Sequence, residues 1–217
     1  MTELTHGRGA AIEPVTLEGR FVRLEPLELR HIPGLVLASS EQRETYGWTF
    51  VPDGTDAMTE YVQTAIDLRE GRQAIPFATF DRVSERLVGS TRFAMFEHFD
   101  WPRGNLAQRG LEFPDGVEIG WTWLAASVQR TPINTEAKYL MLGHAFETWR
   151  VHVLRLKTDR RNERSRAAIQ RIGASLDGVV RADRPGSDGT LRDTAFYSMV
   201  EAEWPAAKAA LEARLAR

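Results

Sequence analysis

The chain of 217 residues contains no cysteine, which removes disulfides, thiolate metal ligands and any route through an acyl-cysteine. No stretch approaches the roughly 20 consecutive apolar residues of a membrane-spanning helix. Residues 1–13 hold no apolar run of signal-peptide length, so the expectation is a cytoplasmic protein without a membrane partner. The histidines at 6, 31, 98, 144 and 152 show no metal-ligand spacing, and no metal is expected. Net charge is only -2 and there is no basic tail, which argues against a nucleic-acid partner. Lysine is scarce, occurring only at Lys138, Lys157 and Lys208, and sequence alone attaches no function to that scarcity.

What is present is the composition of a globular protein, with 42% hydrophobic and 27% charged residues. The length suits one well-buried core, expected over 15–217 behind a flexible segment at 1–14. Alternation predicts a strand over 20–27, ended at Pro26, and a short helix follows over 29–38. The loop at 39–56 is rich in aromatics, and Thr55 is expected to cap a helix that Gly71 ends. Strands over 76–80 and 87–96 flank a polar turn. The segment 97–116 is far longer than a hairpin connection, and its aromatics suggest an ordered lid beside the site.

The second half carries the denser information. A strand over 117–124 leads through the turn 129–134 into an amphipathic helix running from about 135 to 150. Thr131 followed by Pro132 is itself a good helix entry, as cap and first helical residue. A strand over 151–158 and a helix over 163–172, stopped by Gly173, come next. Two strands, 175–184 and 191–200, enclose the turn signal Asp188-Gly189, and a helix over 203–217 closes the chain. Strand runs interrupted by single helices make a mixed α/β domain with one central sheet. The start of a helix offers unpaired N–H donors and partial positive charge, so a phosphate-bearing ligand at 129–135 is the first hypothesis.

The run Glu118-Ile119-Gly120-Trp121, the turn from Gln129 to Asn134 before Thr135-Glu136-Ala137, and Asn162-x-x-Ser165 ending at Ile172-Gly173-Ala174 resemble the GNAT acetyltransferase superfamily. The Rim-type branch, ribosomal-protein N-terminal acetyltransferases, is the nearest likeness, and Leu17 to Leu24 resembles its first strand. The resemblance implies a single-domain fold whose central, mostly antiparallel, twisted sheet contains a splayed central strand pair and is flanked by helices. It implies acetyl-CoA as co-substrate, with Gln129, Arg130, Thr131, Ile133, Asn134 and Thr135 at the pyrophosphate and Asn162 and Ser165 along the pantetheine arm. The pattern departs at Pro132 and Asn134, which stand where the family usually has glycine and glycine or alanine, and Pro132 offers no N–H.

Acyl transfer to an amine needs a base for the ammonium proton and benefits from an acid at the departing thiolate. Glu118 is the candidate base, since the family often places a carboxylate there and Trp121 and Trp123 would raise its pKa. An outward Glu118 in a surface pair is the competing reading, because alternation alone does not assign its face. The tyrosine that many family members use as the acid is replaced by Ile169, and the Rim-type branch suggests Ser165 instead. A hydroxyl in the first turn of a helix also commonly serves the backbone. His144 reads as a hydrogen-bonded core residue, and His98 is a reserve base.

The resemblance places the acceptor between the loop at 41–56 and the loop between the last strands, so Tyr46 and Trp48 are candidate substrate contacts, and His98 is a further one from the segment 97–116. Asp183, Asp188 and Asp193 are candidates to attract an ammonium. The expected acceptor is a primary amine, on a small molecule or a peptide N-terminus, and family habit is compatible with a homodimer. The alternative, from Pro132 and Ile169, is a catalytically inactive acyl-CoA-binding or protein-interaction domain.

Overall fold

A computed structural model describes residues 12–217. Most of the expected segment at 1–14 therefore lies outside the described residues; Ile12, inside them, is buried. Eight strands form one sheet in the order β1-β2-β3-β4-β5-β6-β8-β7. They are β1 (Leu17–Glu18), β2 (Val22–Pro26), β3 (Ala74–Asp81), β4 (Arg86–Glu97), β5 (Gly116–Leu124), β6 (Val153–Asp159), β7 (Ser175–Pro185) and β8 (Leu191–Val200). Every neighbouring pair is antiparallel except β5 and β6. The helices are α1 (Ile32–Ser40), α2 (Gly54–Glu70), α3 (Pro132–Gly143), α4 (Glu163–Arg171) and α5 (Trp204–Leu215).

Successive residues of a strand point to opposite faces, and β4 shows which helices cover which face. Ser90 accepts from the Tyr61 hydroxyl of α2 at 3.2 Å, whereas Thr91 meets Lys138 and Met141 of α3. Thus α1 and α2 cover one face, and α3, packed against α5, covers the other. The core is continuous across the sheet, from Leu24, Phe77 and Phe93 to Leu154, Tyr197 and Met199.

The strand expected over 20–27 is β2, and it forms a small hairpin with β1, Leu17 paired to Leu24 and Glu18 to Arg23. Its turn is fixed from outside: the buried Glu136 carboxylate accepts from the N–H groups of Arg20, Phe21 and Val22 at 2.6–2.8 Å. A β-carbon on Gly19 would lie 2.4 Å from that carboxyl carbon, so the close approach requires glycine.

Other expectations need correction. Thr55 does not cap α2; the helix starts at Gly54 after Asp53, whose carboxylate instead pairs with Arg43 at 3.3 Å. The helix expected up to residue 150 gives way at Gly143 to a π-helical turn, His144–Thr148. That wider turn seats Trp149 against Phe93, Phe96 and His144. His144 is half-buried among those rings, with no hydrogen bond to its imidazole among the described residues.

The segment between β4 and β5 is not a lid on the site. Phe99 N–H and Trp101 Nε1 both donate to the Asp115 carboxylate at 2.7 Å, and His152 Nε2 lies 3.0 Å from the Ala107 carbonyl. Arg109 reaches the Arg150 carbonyl and the Glu201 carboxylate. All these partners lie at the end of the sheet where β5 begins, before β6 and after β8.

Candidate functional site

Strands β5 and β6 run side by side for only three residue pairs, Gly116–Val153, Val117–Leu154 and Glu118–Arg155. Beyond Glu118 they separate, which leaves one backbone edge of β5 without a strand partner. A cavity of about 730 Å³ opens in that gap. Its walls are the remainder of β5, the end of β6, the loop at 44–50, the start of α3 and the inner side of α4. A further distortion lies in β5 itself, where Trp121 has φ of +51° and the register against β4 shifts.

Glu118 faces inward. It is 6% exposed, and its carboxylate lies 2.8 Å from Lys157 Nζ on β6. Burial raises its pKa above the ordinary carboxylate range, opposed by the hydrogen bond and charge of Lys157 and by the charges of Arg184 and Arg192. Of the expected tryptophan flank, Trp123 is buried and Trp121 is 43% exposed.

At the cavity mouth, Thr131 caps α3 as expected, its Oγ1 accepting from Ile133 N–H at 3.4 Å, with Pro132 as first helical residue. Arg130 takes a left-handed conformation, φ +65°. Among the described residues, Arg130, Thr131 and Asn134 N–H groups meet no side-chain or turn acceptor. Ile133 departs from the expected set: its N–H is used by the cap and its side chain is buried outside the cavity. Thr135, four residues after the cap, lines the cavity but its N–H belongs to the first intrahelical bond. Gln129 also lines the cavity, yet its side chain is fully engaged: Nε2 donates to Thr45 Oγ1 and the Leu124 carbonyl, and Oε1 accepts from Arg164.

Asn162 and Ser165 are both in the wall. Asn162 Oδ1 caps α4 by accepting from Ser165 N–H at 3.0 Å, while Nδ2 lies 3.5 Å from Thr49 Oγ1. Ser165 is half-buried, and Ile169, where the phenol would stand, is buried. Tyr46 and Trp48 reach the wall, but neither is loose. The Tyr46 hydroxyl donates to the Ala38 carbonyl at 3.3 Å, and burial pushes its pKa up to about 12. Trp48 lies under the Arg161 guanidinium at 3.8 Å. His98 is outside the cavity, in the segment at the far end of the sheet. The aspartates expected to attract an ammonium are already paired, Asp183 with Arg184, Asp188 with Arg161 and Asp193 with Arg160.

Two lysines of the wall hold partners to which the sequence did not point. Lys157 is the partner of Glu118. Lys138, on the sheet-facing side of α3, is buried with its ammonium nitrogen 2.7 Å from Thr122 Oγ1 and 3.1 Å from Thr91 Oγ1. No carboxylate pairs with it among the described residues, and burial pushes its pKa down to about 7. The signal was a lysine adjoining the buried stripe of Ala137 and Met141.

Residues 22–175 match the family model of the acetyltransferase (GNAT) domain. The chain belongs to the GNAT acetyltransferase family. Among solved structures, this GNAT protein is similar to a GCN5-related N-acetyltransferase from Brucella melitensis, with 28% identity, 93% of this chain and 85% of that chain covered, and a TM-score of 0.75. It shares its fold with RimL, a ribosomal-protein α-N-acetyltransferase solved with coenzyme A, at 17% identity, 86% and 98% coverage and TM-score 0.68. The same fold occurs in the microcin self-immunity acetyltransferase MccE, solved with acetyl-CoA and AMP, at 18% identity, 84% and 93% coverage and TM-score 0.68. No curated protein sequence matches the chain. Among the described residues, no helix is long and apolar enough to cross a membrane, and no cluster of three metal-ligating side chains occurs.

Proposed function

We propose that the protein is an acetyl-CoA-dependent N-acetyltransferase that passes the acetyl group directly to a primary amine, on a small molecule or a peptide N-terminus. The observation that carries this reading is the buried Glu118 carboxylate in a cavity that begins where β5 and β6 part, with the N–H groups of Arg130, Thr131 and Asn134, unpaired among the described residues, at its mouth. The donor set fits a diphosphate even without the N–H lost at Pro132. The unpartnered edge of β5 offers backbone groups to the amides of a pantetheine arm.

Bound acetyl-CoA supplies an activated carbonyl and a thiolate leaving group. Glu118, its pKa raised by burial, takes the proton that makes the incoming amine nucleophilic. Ser165 in the wall is the candidate donor to the departing sulfur, in the place left by Ile169. With no cysteine in the chain, an acyl-cysteine step is absent and transfer is direct.

Free thiol release from acetyl-CoA, followed over a panel of primary amines, tests this reading, and amine-dependent release is the expected result. Calorimetric binding of acetyl-CoA without release for any amine would favour the second reading, an acyl-CoA-binding module, for which Pro132 and Ile169 are the specific observations.

A further inference from the structure

The face of the sheet that carries Glu118 also carries Arg92, Lys157 and Arg192. Arg92 stands opposite Gly120 and Ala94 opposite Glu118 in the β4–β5 register. Lys157 pairs with Phe196, Asp159 with Thr194, and Arg192 follows two residues further along β8 on the same face. Most cations here have a carboxylate of their own: Lys157 has Glu118, Arg161 has Asp159 and Asp188, and Arg184 has Asp183.

Arg192 has none. Its Nε donates to Thr194 Oγ1 at 3.0 Å, and no carboxylate lies within ion-pair distance of it among the described residues. It is half-buried in the cavity wall, on the Glu118 side and beside Arg184. Burial and the Arg184 charge push its pKa down, and the more distant charges of Asp159, Asp183 and Glu118 offset them only in part. Arg92, on the same sheet face, lies outside the cavity wall. It is 2% exposed, its Nε has no hydrogen-bond partner among the described residues, and its guanidinium stands over the rings of Tyr61 and Trp121 at about 5 Å. Trp121 is itself part of the cavity wall. A half-buried guanidinium in the cavity wall with no ion-pair partner among the described residues, on the same sheet face as a carboxylate base, complements a ligand that brings one negative charge together with its amine.

We infer that the acceptor is an amine bearing a carboxylate, and that Arg192 receives the carboxylate while Glu118 receives the amine proton. This rests on the N-acetyltransferase reading and specifies its substrate class. The carboxylate belongs to a free amino acid or to an acidic side chain at a peptide N-terminus, and the chemistry at Arg192 is the same for both.

The test compares kcat/KM within two pairs of acceptors that differ in charge: glycine against glycinamide, and a short peptide beginning with aspartate against the same peptide beginning with asparagine. The expected result is a preference of roughly ten- to a hundredfold for the carboxylate in one of the pairs, which also identifies the source. In Arg192→Gln that ratio falls toward one, through KM, and in Arg192→Lys, which keeps the charge and guards against misfolding, it falls less. Equal rates within both pairs would overturn the inference while leaving the acetyltransferase standing. Absence of turnover with every amine would overturn both. Calorimetry with acetyl-CoA and with its analogue lacking the 3′-phosphate supplies the remaining arm: if Arg192→Gln weakens only the former, Arg192 serves the cofactor and the inference fails.

Discussion

Glu118 Oε2 and Lys157 Nζ lie 2.8 Å apart across the point where β5 and β6 separate, and the carboxyl pKa is nonetheless raised. Burial outweighs the ion pair. A carboxylate so placed is a base whose protonation falls nearer to working pH than that of a surface glutamate.

Glu118→Gln is expected to lower kcat/KM by about two to four orders of magnitude, the usual worth of a positioned general base. In the unaltered protein, activity rises with pH through the raised carboxyl pKa, because only the ionised form accepts a proton. A pH–rate profile of the variant should lack that acidic limb. An unchanged profile would remove Glu118 from the chemistry.

Lys157→Met removes the charge that opposes burial, so the Glu118 pKa should rise further and the acidic limb of kcat/KM should move to higher pH. The shift is read from the same profile. A limb that stays in place would mean that Lys157 does not set the carboxyl.

Lys138 links pH to stability. Its folded pKa is pushed down to about 7 from 10.5. Between those values the folded protein holds a neutral amine while the unfolded chain holds a proton, so stability rises with pH through this window. Relative to Lys138→Met, the unaltered protein should gain roughly 2 kcal/mol in unfolding free energy between pH 7 and 9, measured by urea denaturation at each pH. Parallel pH dependences for the two proteins would show that Lys138 is charged in the fold.

Asn162 has two duties that substitutions separate. Asn162→Ala should destabilise by about 1 kcal/mol through loss of the α4 cap. Asn162→Asp retains a cap oxygen but loses the amide donor, so its melting temperature should hold while its affinity for acetyl-CoA falls. Full affinity in the aspartate variant would leave Asn162 a cap alone.

Several local signals in the sequence match the structure to within a residue or two, although the Thr55 cap does not. The Thr131–Pro132 entry, the α4 stop at Gly173 with φ of +99°, and the β7–β8 hairpin depend on caps and turns that neighbouring residues specify. The site residues that escaped notice depend on topology. Lys157 meets Glu118 only because β6 lies parallel to β5, and Lys138 enters the cavity only through the face that α3 turns to Thr91 and Thr122. The 97–116 segment was misplaced for the same reason: its length pointed to function, but strand direction sets it at the closed end of the β5–β6 pair.

The start of α3 as diphosphate cradle is tested most directly by titrating coenzyme A into the isotope-labelled protein and following backbone amide resonances. The expected result is large, saturable shifts at Arg130, Thr131 and Asn134, with smaller ones along β5 beyond Glu118. Amides at 130–134 that remain unmoved at saturating coenzyme A would contradict it.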